Sequence, residues 1–278
     1  MRRLTLLPIC VITAVLAVTS CSVKEPRWNS PSLVTLDLDR FEALKVSDKA
    51  EVTVFSGRRS NRTENVYLPE CVGIGHKMLV EKTMNTFSCA VGYEGMETKA
   101  DSIYCLPGKQ WCPLWRDGFT ENISEDLYRF SFEPHKEYCT VRFEIVGIKP
   151  NERYPFDILV KASYNGVRLH DAQPIEGRFS AFASRPDLAT NVMTVRVPRQ
   201  LGYGMTMELI QRTPDNPERT YDPEDVMKVY NLGKIMEAYG YSWNLSDLED
   251  FTLMVDFSQA TILVGIEEWD ESEFLNKI

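Results

Sequence analysis

The stretch CTVRFEIV at residues 139–146 decides the fold class of this chain. Apolar and polar side chains alternate along it, which is the period-two pattern of a half-buried β-strand. Short strands of this kind, separated by glycine, proline and asparagine turns, predict sheets packed face to face. The same alternation recurs in the C-terminal half of the chain at 156–162, 179–182, 192–197, 205–210, 251–257 and 260–266.

The alternation also extends toward the N-terminus, at 33–39, 51–55 and 127–132. Six or seven strands are expected on each side of residue 137. The sequence therefore predicts an all-β protein of two antiparallel β-sandwich domains, an N-terminal one at 32–136 and a C-terminal one at 137–278. Three segments that are rich in polar, proline or glycine residues are predicted to be loops, namely 57–65, 101–126 and 213–225.

One helix is predicted, in the C-terminal domain. Apolar residues between Val226 and Ala238 are spaced for a single helix face, Pro223 and Asp225 stand before them, and Gly240 suits the position just after the helix. The dipeptide Asn165-Gly166 predicts a tight turn.

The first 21 residues have the features of a bacterial lipoprotein signal. Residues 1–3 are positively charged, and residues 4–18 carry no charge over a length shorter than the ~20 residues of a membrane-spanning helix. Val18-Thr19-Ser20-Cys21 follows, in which a branched apolar residue and two small residues precede a cysteine. We therefore expect residues 1–20 to be a signal peptide, cut between Ser20 and Cys21, and Cys21 to be acylated.

Charge limits what the mature chain can bind. Without residues 1–20 it has 29 basic and 40 acidic residues, a net charge of −11. Nucleic acid and anionic lipid headgroups both require a basic face, so neither is an expected partner. Residues 21–31 are predicted to be a lipidated tether, since two or more acyl chains on Cys21 are enough for stable anchoring. Ser22 is not the aspartate that retains lipoproteins in the inner membrane, which favours an outer-membrane protein exposed at the cell surface.

Five cysteines follow Cys21, and an exported chain permits disulfides among them. Their number is odd, so at least one stays unpaired or pairs between molecules. Cys89 and Cys139 lie in strand patterns and are predicted to be buried thiols. Cys105 and Cys112 flank a Pro-Gly turn and could form a bridge, and the role of Cys71 is open.

No sequence motif points to catalysis. The three histidines, at 76, 135 and 170, have no metal-ligand spacing, and nucleotide-binding and serine-hydrolase motifs are missing. We therefore expect neither an enzyme nor a cofactor, a bound metal or a small-molecule substrate. Asp37 and Asp39 are predicted to share one solvated strand face.

The chain resembles the FimB-type fimbrial anchor lipoproteins of Bacteroidales. One similar stretch is the lipobox with its follower, Cys21-Ser22-Val23-Lys24-Glu25, and another is the opening pair of strands at 33–39 and 51–55. The most specific one lies near the C-terminus. It runs from Asn231-Leu232-Gly233 through Ala238-Tyr239-Gly240-Tyr241-Ser242-Trp243 and Leu248-Glu249-Asp250 to a closing hairpin that ends at Trp269.

The resemblance implies two transthyretin-like β-sandwiches at the base of a fimbria (pilus), which the protein would anchor to the outer membrane and limit in length. The implied partners are fimbrial stalk subunits, contacted by main-chain pairing at a sheet edge. Subunits of such fimbriae lose their first strand to a protease. This chain is expected to keep the strand that bears Leu33, Leu36 and Leu38, and so to act as a terminator. The C-terminal tail is a candidate for donating or covering an edge through Phe274, Leu275 and Ile278.

Two further hypotheses depend on the segment 101–126. Asp101-Ser102-Ile103 matches the pattern at which Bacteroidota attach O-glycans to exported proteins, which makes Ser102 a candidate glycosylation site. Trp111 and Trp115 are either buried anchors or a sugar-stacking platform. The platform would suit a competing function, that of a surface glycan-binding lipoprotein in a polysaccharide-uptake system.

Overall fold

The computed structural model describes residues 30–56, 60–149, 154, 156–187, 189–211, 222–256 and 261–265. These residues form an all-β protein of two sandwiches, each made of a small and a large sheet, which confirms the predicted fold class. The signal peptide, Cys21 and the tail with Phe274, Leu275 and Ile278 lie outside the described residues.

The first sandwich packs a three-stranded sheet, β4-β1-β9, on a five-stranded sheet, β10-β8-β5-β2-β3. Alternate residues of the strands point inward, so the core between the sheets is aliphatic and aromatic, with Val34, Leu36, Phe87 and Phe132 fully or almost fully buried. The first ten strands of the chain are β1 (Ser32–Asp37), β2 (Lys49–Ser56), β3 (Ser60–Tyr67), β4 (His76–Val80), β5 (Met84–Val91), β6 (Glu97–Lys99), β7 (Ser102–Tyr104), β8 (Trp115–Asn122), β9 (Leu127–Ser131) and β10 (His135–Lys136).

The second sandwich packs a four-stranded sheet, β14-β11-β17-β18, on a six-stranded sheet, β16-β15-β12-β7-β6, with β13 also paired to β12. Its core includes Val141, Phe143, Phe156 and Phe251. The remaining strands are β11 (Tyr138–Val146), β12 (Phe156–Arg168), β13 (Pro174–Phe182), β14 (Val192–Pro198), β15 (Thr206–Gln211), β16 (Val226–Tyr230), β17 (Phe251–Asp256) and β18 (Thr261–Gly265).

The two sandwiches repeat one strand order. In the first, β1 pairs antiparallel with β4 and parallel with β9; in the second, β11 pairs antiparallel with β14 and parallel with β17. The large sheets correspond likewise, β8-β5-β2-β3 to β16-β15-β12-β13. The sequence shows no such repeat, because a sandwich requires alternation and turns rather than particular residues.

The predicted helix between Val226 and Ala238 is wrong in its first half. Val226–Tyr230 is strand β16, paired with β15, and only Leu232–Ala238 is helical (α2). Asn231 caps that helix by accepting a hydrogen bond from the Lys234 N–H. Five apolar-spaced residues cannot distinguish helix from strand, and the β-branched and aromatic side chains here suit an edge strand. A second short helix that was not predicted, α1 (Asp39–Ala43), follows β1.

The predicted loop at 101–126 is also wrong, because it contains β7 and β8. Strand β7 pairs with β12 and with β6, so residues 97–104 extend the large sheet of the second sandwich. Trp111 and Leu114 are buried in the second core as well. Part of the segment 32–136 therefore belongs to the second sandwich, and a single domain boundary at residue 136 does not describe this.

Asn165-Gly166 is not a turn. It lies inside the long strand β12, where the register with β13 shifts between Ala162 and Tyr164 and again between Tyr164 and Gly166. Gly166 has no room for a side chain because Tyr104 and the Ile103 carbonyl of β7 approach it closely. A glycine inside a strand at a bulge is a known alternative to a turn.

Candidate functional site

The first strand lies in the middle of its sheet. β1 is paired on one side with β4 and on the other with β9, and the Leu33 N–H donates to the Asp126 carbonyl at 2.9 Å. Leu36 and Leu38 point into the core and are almost completely buried, whereas Leu33 is half-buried on the outer face. Leu33, Leu36 and Leu38 therefore do not form a free edge, and the small sheet of the first sandwich has its central strand in place.

Asp37 and Asp39 do not share a strand face, which corrects the prediction. Asp37 ends β1 and Asp39 begins α1. The Asp37 carboxylate accepts hydrogen bonds from the Asp39 N–H and from Arg129, both at 3.1 Å, and these contacts lower its pKa. Asp39 accepts from the Gly73 N–H at 2.9 Å. The two carboxylates therefore make separate contacts with the chain itself.

A buried ion cluster joins the two sandwiches. Glu137, between β10 and β11, is fully buried, and its two carboxylate oxygens accept from Arg116 Nε at 2.9 Å and from Arg199 Nε at 2.6 Å. Arg116 belongs to the first sandwich and Arg199 to the second. Arg199 also donates to the Trp243 carbonyl at 2.6 Å, and the indole N–H of Trp111 donates to the Glu137 carbonyl at 3.1 Å. The junction is therefore held by charge-assisted hydrogen bonds.

A cleft of about 560 Å³ opens beside this cluster. Both sandwiches line it, with Gly118 and His135 from one and His170, Gln200 and Trp243 from the other. Gly118 in β8 lies against the backbone of His170, where any side chain would collide. The walls are polar and no wide aromatic surface is exposed, because Trp243 is almost completely buried.

The histidines are paired with carboxylates. His76 Nε2 lies 2.8 Å from Glu64 Oε2, His135 Nδ1 lies 3.4 Å from Asp247 Oδ2, and His170 contacts Asp101. No group of three or more potential metal ligands occurs among the described residues. None of the helices in that part of the chain is long and apolar enough to cross a bilayer.

The five cysteines that follow Cys21 are all buried free thiols in this structure. Cys89 and Cys139 lie in the strands where burial was predicted, and burial raises the pKa of Cys139 to about 12. Burial likewise raises the pKa of Cys105 to about 11 and that of Cys112 further still. Thiols whose pKa is raised in this way are poor nucleophiles at neutral pH.

The tryptophans and Ser102 are less accessible than a binding site needs. Trp111 is fully buried, and Trp115 packs partly against the first core, so they do not form a stacking platform. Ser102 begins β7, is 8% exposed, and donates to the adjacent Asp101 carboxylate at 3.3 Å. A sugar on Ser102 would have no room in the folded protein.

One edge strand combines open main chain with exposed apolar side chains. β16 ends the large sheet of the second sandwich, and no other described strand pairs with its outer edge. Met227 is 58% exposed and Val229 is 56% exposed, and the register of β16 with β15 shifts at Met227. Exposed apolar edges of this kind are prone to pair with a strand of another chain. This edge could not be expected while Val226–Tyr230 was predicted to be helical.

Comparison with known proteins defines the class of fold. No protein-family model matches the chain, and no curated protein sequence does. Solved structures of proteins from Bacteroides and Porphyromonas share its fold over most of both chains.

Three of these structures illustrate the likeness. A candidate polysaccharide-binding protein from Bacteroides thetaiotaomicron has 14% identity and a TM-score of 0.56, over 87% of this chain and 99% of that one. A candidate adhesin from the same species has 11% identity and a TM-score of 0.55, over 86% and 96%. The fimbrial anchor protein Mfa2 from Porphyromonas gingivalis has 12% identity and a TM-score of 0.54, over 86% and 97%. The predicted resemblance to fimbrial anchor proteins is thus confirmed in the fold.

Proposed function

We propose that this protein is an outer-membrane lipoprotein that anchors the base of a fimbria and limits its length. Its role is binding rather than catalysis. The lipobox that ends at Cys21 supports the anchoring, and the fold shared with Mfa2 supports the fimbrial role. Acyl chains on Cys21 hold the protein at the cell surface, and fimbrial stalk subunits are its partners.

The observation that carries the proposal is the position of β1. A subunit that accepts a neighbour's strand needs an empty place in a sheet, with unpaired main chain on one or both sides. In the first sandwich that place is taken by the chain's own β1, which is paired with both β4 and β9. No incoming strand can enter there, so the filament ends at this subunit. The protein then holds the last stalk subunit through another edge.

The β16 edge suits that contact. It belongs to the second sandwich, whereas the tether enters the first. A strand added beside β16 would gain main-chain hydrogen bonds and would cover Met227 and Val229. The double substitution Met227→Lys and Val229→Lys should release fimbriae from cells into the medium. The matched control is Val72→Lys with Ile74→Lys, which alters two similarly exposed apolar residues that lie outside the described strands.

The central experiment separates anchoring from length control. Cys21→Ser should abolish labelling by radioactive palmitate and should shed long fimbriae from the cells. Unchanged palmitate labelling, or surface-bound fimbriae of normal length, would contradict the proposal. If the β16 variant and its control retain fimbriae equally well, the contact lies at a different edge.

A second candidate function is glycan binding. It is favoured by the candidate polysaccharide-binding protein that shares the fold and by the polar interdomain cleft. Trp111 and Trp115 are too buried to stack on a sugar, so the residues to test are those that line the cleft. Retardation by a polysaccharide in affinity electrophoresis, lost in a Gln200→Ala variant and kept in an Asn61→Ala variant, would favour this function over the fimbrial one.

A further inference from the structure

We infer that the small sheet of the first sandwich rests on the lipid surface to which the chain is tethered, through a row of three leucines. The row consists of Leu79 in β4, Leu33 in β1 and Leu127 in β9. The inference depends on the proposed acylation of Cys21, and it adds a second contact between the protein and the bilayer.

Strand register places the three leucines side by side. Leu33 is the partner of Leu79 in the antiparallel pair and of Leu127 in the parallel pair. Residues directly opposite each other in a sheet point to the same face. Here that face is the outer one: Leu79 is 55% exposed and Leu127 is 69% exposed, while their neighbours Met78 and Val80 point into the core. Single exposed leucines are ordinary, but a contiguous row across three strands indicates an interaction surface.

The row lies where the tether joins the fold. β1 begins at Ser32, so Leu33 is its second residue. Ten residues, 22–31, separate the acylated Cys21 from Ser32, and the chain from Cys21 to Ser32 spans at most about 40 Å when fully extended. A tether of this reach allows the leucine row to touch the membrane, and the row lies at the end of the sheet where the tether enters.

The next row along the same face is basic. Thr35 is the partner of Lys77 on one side and of Arg129 on the other, two residues or roughly 7 Å further from the tether. Lys77 is exposed and can reach lipid headgroups from a surface that lies in a membrane interface, whereas the Arg129 guanidinium is paired with Asp37. At the far end of β1, Asp37 is charged and binds Arg129. The face is therefore graded from apolar near the tether to polar away from it.

A protein partner explains this row less well than lipid does. β4 and β9 are the edges of their sheet, and a strand added to either edge would extend the sheet and leave the leucines on its face uncovered. The acidic residues near the row, including Glu81 and Glu125, disfavour strongly anionic lipid. The expected surface is a bilayer of low net charge.

The test uses the acylated full-length protein in vesicles of phosphatidylethanolamine and phosphatidylcholine. A carbene reagent dissolved in the bilayer labels whatever touches lipid, and the labelled peptides are mapped by mass spectrometry. Peptides containing Leu79 and Leu127 should be labelled, whereas the peptide with Val72 and Ile74 should not. Ile74 is a good internal control because it is 63% exposed and lies just before β4, at the opposite end of that strand.

The variant Leu79→Ser with Leu127→Ser should lose label on β4 and β9 several-fold and keep label on the acylated N-terminal peptide. Both side chains are exposed, so the fold should tolerate the change. An acylated peptide that is labelled while β4 and β9 carry no more label than the Ile74 peptide would overturn the inference and leave the anchor intact. Chemical cross-links between copies across β4 and β9, without carbene label there, would overturn it in favour of a second copy. Absence of all label with no acylation would instead reject the proposed function.

Discussion

Removal of the charge on Glu137 should lower the free energy of unfolding, because this carboxylate joins the two sandwiches. In Glu137→Gln the shape of the side chain is kept, but one of its two oxygens becomes an amide that faces an arginine N–H. Arg116 and Arg199 then lose the carboxylate that they share at 2.9 and 2.6 Å. Because Glu137 is fully buried, breaking this pairing should cost about 3–5 kcal/mol of the free energy of unfolding.

The assay is urea and thermal unfolding followed by circular dichroism. For a chain of this size, ~3–5 kcal/mol corresponds to a fall in Tm of roughly 6–20 °C. The matched control is Glu133→Gln, the same change four residues earlier, where the side chain is 69% exposed and pairs with Arg40 at the surface. The control should cost at most about 1 kcal/mol. If the two variants unfold alike, the buried cluster does not stabilise the junction and the reasoning is refuted.

The remaining predictions concern close packing and thiol reactivity. Gly118→Ala should destabilise the protein by ~1–3 kcal/mol in urea unfolding, because the added methyl collides with the backbone of His170. Gly202→Ala, where nothing lies within 4 Å, is its control, and equal effects of the two would contradict the close approach. Alkylation of Cys105 by iodoacetamide at pH 8 should be slow in the native protein and fast in urea, since burial raises its pKa to about 11. Reaction of the native thiol at the unfolded rate would show that the site is open.

Strands with one buried face could be predicted from the sequence, and strands without one could not. β11 and β17 alternate cleanly because one side of each faces the core. The loop predicted at 57–65 is wrong from residue 60 onward, because Ser60–Tyr67 is strand β3 and pairs with β2 along its whole length. It is an edge strand whose side chains are mostly exposed, so its sequence carries little apolar pattern. Backbone pairing with β2 determines its conformation.

The predicted helix failed for a related reason. Five residues of β16 are compatible with either period, and the neighbouring β15 decided between them by offering an unpaired edge. β6 and β7 join the second sandwich because β7 pairs with β12, which is more than sixty residues away in the chain. No local pattern contains that information.

The sequence by itself determined the acidic balance and the alternation that makes the chain all-β, and its lipobox pattern before Cys21 predicts acylation. Composition and short-range pattern are enough for each of these. Tertiary structure alone decided which residues meet. Strand register aligned Leu33, Leu79 and Leu127 into one row, and the docking of two sandwiches buried Glu137 between Arg116 and Arg199. The physical reason is that sheet pairing and domain contact join residues far apart in the chain, and their positions follow from the packing of the whole molecule.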